Sequence, residues 1–480
     1  MRYLACVGVV AFCAAAGPGR AQAGAADTSF AAFERAVRAE LAAAKVPGAA
    51  VALVRGDSVV YAGGIGAASV ETGAPVTADM LFQVGSASKV LTALLLAVLA
   101  EQGALRLDAP ARTYVSGLPP RLGALTLHQL LSHSSGLRDV PGAGGLHDEG
   151  ALAAYPRTWT AEWAPLLPGL FSYSNAGYAL AGLAAQEAAG KPFADLARER
   201  VLAPLGMERT TYRPLEALTR PAAVGHAAPP GQEPRRIPSY ADDTRLWPAG
   251  YAWSSARDMA RLLAALMADG RVGGRQALPA AAVARVRGRH VEVPNLFTDA
   301  AYGYGLFTGT WRGVPSVWHD GQMDGFGALV RILPARGLGV VVLLNREGVR
   351  PDRIADLGFA ALGVAWPEAP APAAKPEVTM SAAEMASYAG RYENRFPLEL
   401  FVREGALFRR WFGQEQRVWR VGPRRFTVDP ARTSPAAEFT IAPAEAARPA
   451  YVQAFLWVFV KTGGGATPPA SPPAPAGTRG

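Results

Sequence analysis

Phe82-Gln83-Val84-Gly85-Ser86-Ala87-Ser88-Lys89 runs directly into Val90-Leu91-Thr92-Ala93-Leu94-Leu95-Leu96-Ala97-Val98-Leu99-Ala100, a stretch with Thr92 as its only polar residue. A helix that is apolar on every side is buried. Lys89 therefore opens a core helix, where an unpaired charge is costly and its presence needs a reason. Ser86 stands three positions earlier, on the same helical face. Only five lysines (Lys45, Lys89, Lys191, Lys375 and Lys461) occur among 48 basic residues, and Lys89 alone has a serine three positions before it. A desolvated amine holds its proton weakly and can act as a base near neutral pH. A serine beside such a base is an activated nucleophile.

The bulk properties bound the setting. Arg2, the apolar run Leu4 to Ala16, and the small-x-small site Ala21-Gln22-Ala23 read as a secretory signal over 1–23. The run is too short for a membrane span. Both cysteines, Cys6 and Cys13, fall inside it, so the remainder has no disulfide, thiol nucleophile or cysteine metal site. Export, to a periplasm or outside the cell, is the expectation. The remaining chain, about 457 residues, carries a net charge of about +7 from 46 basic and 39 acidic residues. The basic residues are dispersed, with no run of the kind that binds nucleic acid.

Helical spacing appears over Ser29 to Lys45, through Phe30, Phe33, Val37 and Leu41. Ala49 to Val54 and Ser58 to Ala62 are short β-rich runs around Arg55-Gly56-Asp57, a hairpin signal. From Leu91 to about Ala284 the pattern is mainly helical, with an amphipathic segment at Met259 to Met267. Strand character returns near residue 300, and Phe326 to Leu333 and Leu338 to Leu344 are apolar, β-branched runs. Strands at both ends of a helical middle predict an α+β domain over 24–365 whose sheet uses both chain ends. A Pro/Ala-rich linker follows at 366–377. Residues 378–462 read as a small β-rich domain, with runs at Leu398 to Val402, Arg417 to Val421 and Phe455 to Val460. The Gly/Pro/Ala tail at 463–480 reads as disordered.

Two further constellations stand out. Phe171-Ser172-Tyr173-Ser174-Asn175 can project Tyr173 and Asn175 from a loop into one cleft. A phenol near Lys89 would have its ionised form favoured by the ammonium charge and could relay protons to and from Ser86. The Asn175 amide suits an amide or ester carbonyl. Trp318-His319-Asp320-Gly321-Gln322 precedes the strand Phe326 to Leu333. Gly321 lets a substrate lie close to the strand edge, His319 can donate to the tyrosine or the substrate, and backbone N–H groups there can stabilise an oxyanion with that of Ser86. Lys461-Thr462-Gly463 is a decoy with no strand after it.

Taken in order, S-x-x-K, Y-x-N and H-x-G resemble the class C β-lactamase-like serine hydrolases, a group that includes D-amino-acid-specific peptidases, penicillin-binding carboxypeptidases and esterases. Leu125-Thr126-Leu127-His128-Gln129-Leu130-Leu131-Ser132-His133-Ser134-Ser135-Gly136-Leu137, Ala203-Pro204-Leu205-Gly206-Met207 and Tyr302-Gly303-Tyr304-Gly305 extend the resemblance over residues 28 to 364. Tyr388-Ala389-Gly390-Arg391-Tyr392-Glu393-Asn394 resembles the start of a small β-barrel-like domain appended in some members. The resemblance implies a β-lactamase/transpeptidase-like fold, an antiparallel sheet flanked by helices plus an all-α region, with the cleft between them. It implies Ser86 as nucleophile, Lys89 as general base, Tyr173 as proton relay and Asn175 as binder of the substrate carbonyl side chain. His319 would take the place of a lysine, and the N–H groups of Ser86 and Gln322 would form the oxyanion hole. His133 reads as structural. No metal or cofactor is required.

Asp320 stands where β-lactam-recognising relatives often carry Thr or Ser. An aspartate there would repel an anion, and His319 removes a cation, so the pair argues against a free substrate carboxylate. The expected substrate is a small ester, amide or D-amino acid peptide, cell-wall fragments included. A β-lactamase or D,D-carboxypeptidase is the alternative. A non-catalytic cell-wall-binding relative would be marked by a lost serine or lysine, and neither is lost. Arg138 to Leu167, with Tyr155, Trp159 and Trp163, is expected to shape the pocket, and the C-terminal domain to cover the cleft or serve as a spacer.

Overall fold

The computed structural model describes residues 30–464, except 140–146, 161–166, 230, 295–298, 368–372, 395, 435–436 and 446–449. The expected signal segment and Trp163 lie outside the described residues, as does nearly all of the tail. Helix α1 (Ala31–Ala43) buries Phe33, Val37 and Leu41, spaced four apart on one face. Strands β1 (Gly48–Arg55) and β2 (Ser58–Gly66) form an antiparallel hairpin, with Gly56 at φ +59 in its turn.

Six later strands complete the sheet: β3 (Val291–Glu292), β4 (Ala301–Tyr302), β5 (Phe307–Trp311), β6 (Val314–Met323), β7 (Phe326–Leu333) and β8 (Leu338–Leu344). The order is β2-β1-β8-β7-β6-β5-β4-β3, antiparallel at every step. β1 pairs with β8, Ala49 opposite Leu344, so the two ends of the domain meet in one sheet, as the sequence predicts. Alternate residues of these strands enter two cores. Ala50, Ala52, Val341 and Leu343 pack with α4 (Ala256–Met267), whereas Val51, Leu53, Val340 and Val342 pack with α1 and α5 (Asp352–Ala361). Both faces are thus covered, which is why β8 reads as an unbroken apolar run and β7 as one interrupted only by the buried Arg331.

Helix α2 (Ser88–Glu101) is buried at every position from Ser88 to Leu99. It packs against α3 (Asn175–Ala189) in the helical region. Its start is pinned. Phe82–Gln83 pairs with Trp253–Ser254, the Ala252 N–H donates to Ser88 Oγ at 3.0 Å, and that hydroxyl donates to the Gly85 carbonyl at 2.7 Å. No helix among the described residues is long and apolar enough to cross a membrane.

The C-terminal region is a nine-stranded antiparallel sheet over its own apolar core. Its strands are β9 (Gly390–Glu393), β10 (Leu398–Arg403), β11 (Ala406–Trp411), β12 (Gln414–Arg417), β13 (Trp419–Arg420), β14 (Arg425–Thr427), β15 (Glu438–Ala442), β16 (Tyr451–Ala454) and β17 (Trp457–Gly464). Two runs read as single strands differ from expectation. Arg417 to Val421 breaks at Val418, which turns into the core. Phe455 and Leu456 form the two-residue turn between β16 and β17 rather than strand, with Phe455 at φ +54.

Candidate active site

Ser86 lies in the 3-10 turn Gly85–Ala87 that feeds α2. Gly85 has φ +51, and a Cβ there would meet the Gln322 backbone N and O at 2.7 Å. A Cβ on Gly321 would meet the Val84 carbonyl oxygen at 2.0 Å and Ser86 N at 3.0 Å. These two glycines let the end of β6 lie flat against the serine turn.

Lys89 is fully buried one helical turn on, and its Nζ has three partners. They are Asn175 Oδ1 at 2.7 Å, the Ala249 carbonyl at 2.5 Å and Ser86 Oγ at 3.1 Å. The first two can only accept, so they fix two N–H bonds. The third position, toward Ser86, holds a third N–H in the ammonium and a lone pair in the neutral amine. Burial lowers the pKa of Lys89 to about 7, against the opposing pull of Asp139 and Asp320. Both forms are therefore populated near neutral pH.

Tyr173 faces the Ser86 hydroxyl, and its ring centroid lies 4.7 Å from Lys89 Nζ. The expected stabilisation of its phenolate is overturned. Burial pushes the phenol well above its ordinary range, and Asp320 and Asp139 add to the effect, so Tyr173 is an O–H donor. The His133 ring lies against it, centroids 4.1 Å apart. His133 Nδ1 accepts from the Ser174 N–H at 3.1 Å, its carbonyl accepts from the Ser172 N–H, and burial keeps the ring neutral. It fixes the tyrosine loop, the structural role expected of it.

Asn175, the first residue of α3, is turned inward. Its Oδ1 holds Lys89, while its backbone N–H and its Nδ2 donate to Asp139 Oδ1 at 2.8 and 3.2 Å. Its amide orients the lysine, and the residue also borders one of the cavities beside Ser86. His319 differs from expectation. Its Nδ1 lies 2.5 Å from the Asp320 carbonyl and must donate, so Nε2 accepts from the Tyr302 hydroxyl at 3.1 Å. Neither nitrogen reaches Tyr173. Burial and the Lys89 charge lower its pKa to about 3, so the ring is neutral. The Gln322 side chain turns away, with Nε2 donating to the Val349 carbonyl and Oε1 accepting from the Gly348 N–H.

Ser86, Tyr173 and Gln322 border two cavities, of about 260 and 290 Å³. The first adds His319, Asp320, Arg350 and Phe455, the second Asp139, Asn175 and Trp457, and Leu456 lines both. Burial raises the Asp320 carboxyl, against the pull of Arg350. Arg350 donates to Asp352, which also holds the buried Arg331. Sequence reasoning did not single out Asp139, Arg350 or the turn at Phe455 and Leu456. The region Arg138 to Leu167 does border the second cavity, through Asp139, whereas Tyr155 and Trp159 are buried against each other and against the helical core, outside both cavities.

The C-terminal region is a wall of the site. The Tyr173 N–H donates to the Leu456 carbonyl at 2.8 Å. Asn394 Oδ1 accepts from the Asp139 N–H at 3.3 Å, and its Nδ2 donates to the Val458 carbonyl at 2.7 Å. Gln453 Nε2 donates to the Phe171 carbonyl at 3.0 Å. Lys461 of the decoy motif is tied to the Ser387 carbonyl, inside the C-terminal region.

Comparison with known proteins agrees with this geometry. Penicillin-binding protein 4 of Amycolatopsis lactamdurans is 32% identical over 363 residues, covering 72% of this chain and 93% of that protein. Esterase EstB of Burkholderia gladioli is 26% identical over 277 residues, 49% of this chain and 69% of the esterase. The crystal structure of SurE with D-Leu superposes with a TM-score of 0.70 at 26% identity, covering 91% of this chain and 99% of that one. The beta-lactamase family model matches residues 33–365, which span the serine turn, the tyrosine loop and the H-x-G strand together, and the chain belongs to that family of serine hydrolases.

Proposed function

We propose that this protein is an exported hydrolase of small esters and amides, D-amino acid peptides included, acting through an acyl-enzyme on Ser86. The observation that carries the reading is the Lys89 amine. Two of its bonds are committed to Asn175 and Ala249, its third position faces Ser86 Oγ at 3.1 Å, and its pKa is about 7. Neutral Lys89 takes the Ser86 proton as Oγ attacks the substrate carbonyl. The backbone N–H groups of Ser86 and Gln322 receive the oxyanion, each worth roughly 3 kcal/mol of barrier. Tyr173 passes its proton to the leaving group and is refilled from the Lys89 ammonium. Water then attacks the acyl ester by the reverse proton path, releasing the acid and restoring Ser86.

The first cavity supports the substrate class. Asp320 borders it and His319 is neutral, which suits an uncharged acyl group or one bearing an amine. EstB and the D-Leu complex of SurE are in keeping with esters and D-residues. Arg350 favours the other reading, a β-lactamase or carboxypeptidase, because a guanidinium in the same cavity suits a free carboxylate. The test is kcat/KM for a short p-nitrophenyl ester and for a chromogenic cephalosporin, with Ser86→Ala as blank. Ester turnover with a silent cephalosporin supports the proposal, and efficient cephalosporin turnover overturns it. Asp320→Thr should shift the ratio toward the cephalosporin, and an unchanged ratio would remove Asp320 from the argument. Export rests on the N-terminal sequence, and a mature protein beginning at Gly24 is the expected mass-spectrometric result.

A further inference from the structure

A third cavity, of about 380 Å³, lies within the C-terminal sheet, bordered by Arg409, Trp411, Phe412, Glu438, Phe455 and Trp457 among others. Arg409 and Trp411 alternate with Leu407 and share its inward face of β11, whereas Arg410 pairs with Glu399 and Glu415 on the outer face. Three buried N–H donors carried by residues that line the cavity have no hydrogen-bond partner among the described residues. They are Arg409 Nε, Trp411 Nε1 and Trp457 Nε1. Buried polar groups are normally paired, and three orphans of one kind around one cavity call for explanation. All three are donors, so what they lack is an acceptor.

Charge points the same way. Glu438, the acid of the lining, has its carboxylate covered by Lys375 and by Arg425, the latter at 2.5 Å. Arg409 has no carboxylate partner among the described ion pairs; its Nη2 donates to the neutral Gln416 amide, and its guanidinium lies over the rings of Trp411 and Phe439. The local balance is positive.

The rim is unusual. Phe412 and Phe455 are 62% and 43% exposed, each at the tip of a two-residue hairpin loop, at φ +48 and φ +54. Turn chemistry favours Asn, Asp or Gly at left-handed positions, and a bulky side chain there is strained. Two strained, exposed aromatic rings at the mouth of one cavity are explained by what they touch when the cavity is filled.

We propose that this cavity is a second binding site, taking a small apolar acid whose body lies among the aromatic rings and whose carboxylate meets the Arg409 guanidinium and the indole N–H groups. Phe455 borders this cavity and the Ser86 cavity alike, so an occupant here touches the wall of the catalytic cleft.

The test is calorimetric titration of the full-length protein with 4-phenylbutyrate, and with 4-phenylbutanol as the uncharged control. The expected result is one-to-one binding of the acid, weaker by about tenfold or more for the alcohol and for Arg409→Met. Trp457→Phe keeps an aromatic ring while removing the indole N–H, so a several-fold loss with an unchanged melting temperature separates recognition from misfolding. Turnover of p-nitrophenyl acetate should be unchanged in Arg409→Met. Absence of binding at about 10 mM acid, or equal affinity in Arg409→Met and Trp457→Phe, overturns the proposal. A p-nitrophenyl ester ending in a carboxylate distinguishes the sources of the ligand. A KM raised in Arg409→Met identifies the distal end of a substrate, and an unchanged KM beside lost phenylbutyrate binding identifies a separate molecule.

Discussion

Lys89 and Arg409 are both cations withdrawn from water, on either side of the hairpin that joins β16 to β17, and the chain supports them differently. Each position around Lys89 Nζ is matched by an oxygen of the protein, and burial draws its pKa to about 7. Arg409 keeps an unpartnered Nε, and burial draws it only to about 10, so it stays charged. A group that must exchange a proton is fully framed in advance and poised between its two forms. A group that must recognise a charge keeps its charge and leaves a bond unmade.

The contrast can be tested in order of effect. Ser86→Ala should lower ester kcat by at least about 10⁴-fold while leaving 4-phenylbutyrate affinity unchanged. A parallel loss of both would merge the two sites into one. Tyr173→Phe should cost about 10²- to 10⁴-fold in kcat with a small change in KM, because the phenol acts as a donor during proton transfer. Next comes the acid limb of the pH profile. Lys89 must be neutral to accept a proton, so kcat/KM should rise with pH, about tenfold per unit below pH 7, and level off above it. His319 at about 3 and Tyr173 far above its ordinary range do not titrate in that window. A limb centred near 4 would remove Lys89 as the base. The smallest effect is expected at the shared wall. Phe455→Gly relieves a left-handed phenylalanine, so stability should change by no more than about 1 kcal/mol. Its ester KM and its phenylbutyrate affinity should each weaken a few-fold, and a change in only one would show that the wall is not shared.

What could be read in advance follows sequence distance. Ser86 and Lys89 are three residues apart on one helix, so burial of that helix sufficed to bring hydroxyl and amine together. β7 and β8 were legible because a strand covered on both faces is largely apolar, with Arg331 the one charge in β7. The state of Tyr173 was misread because the ammonium beside it was visible in the motif, whereas the burial that outweighs it comes from packing. Asp139 holds Asn175 from 36 residues away, and Val458 reaches Ser172 across 286. Neither separation leaves a periodic trace. Arg350 was hidden for the same reason, since its place depends on Asp352 and the buried Arg331 beneath it. Phe455 and Leu456 were read as strand because an apolar pair beside Trp457 looks like one, and only the left-handed backbone at Phe455 reveals the turn.

The bond from the Tyr173 N–H to the Leu456 carbonyl bears on how this protein can be rebuilt. It is a main-chain contact, indifferent to the side chains at either end. Hairpin tips of different sequence can be exchanged at 455 and 456 while the tyrosine keeps its support. A library confined to those two positions would therefore vary the bordering surface of the Ser86 cavity without touching the groups that break the bond. Truncation before residue 378, by contrast, would leave the tyrosine loop without its brace.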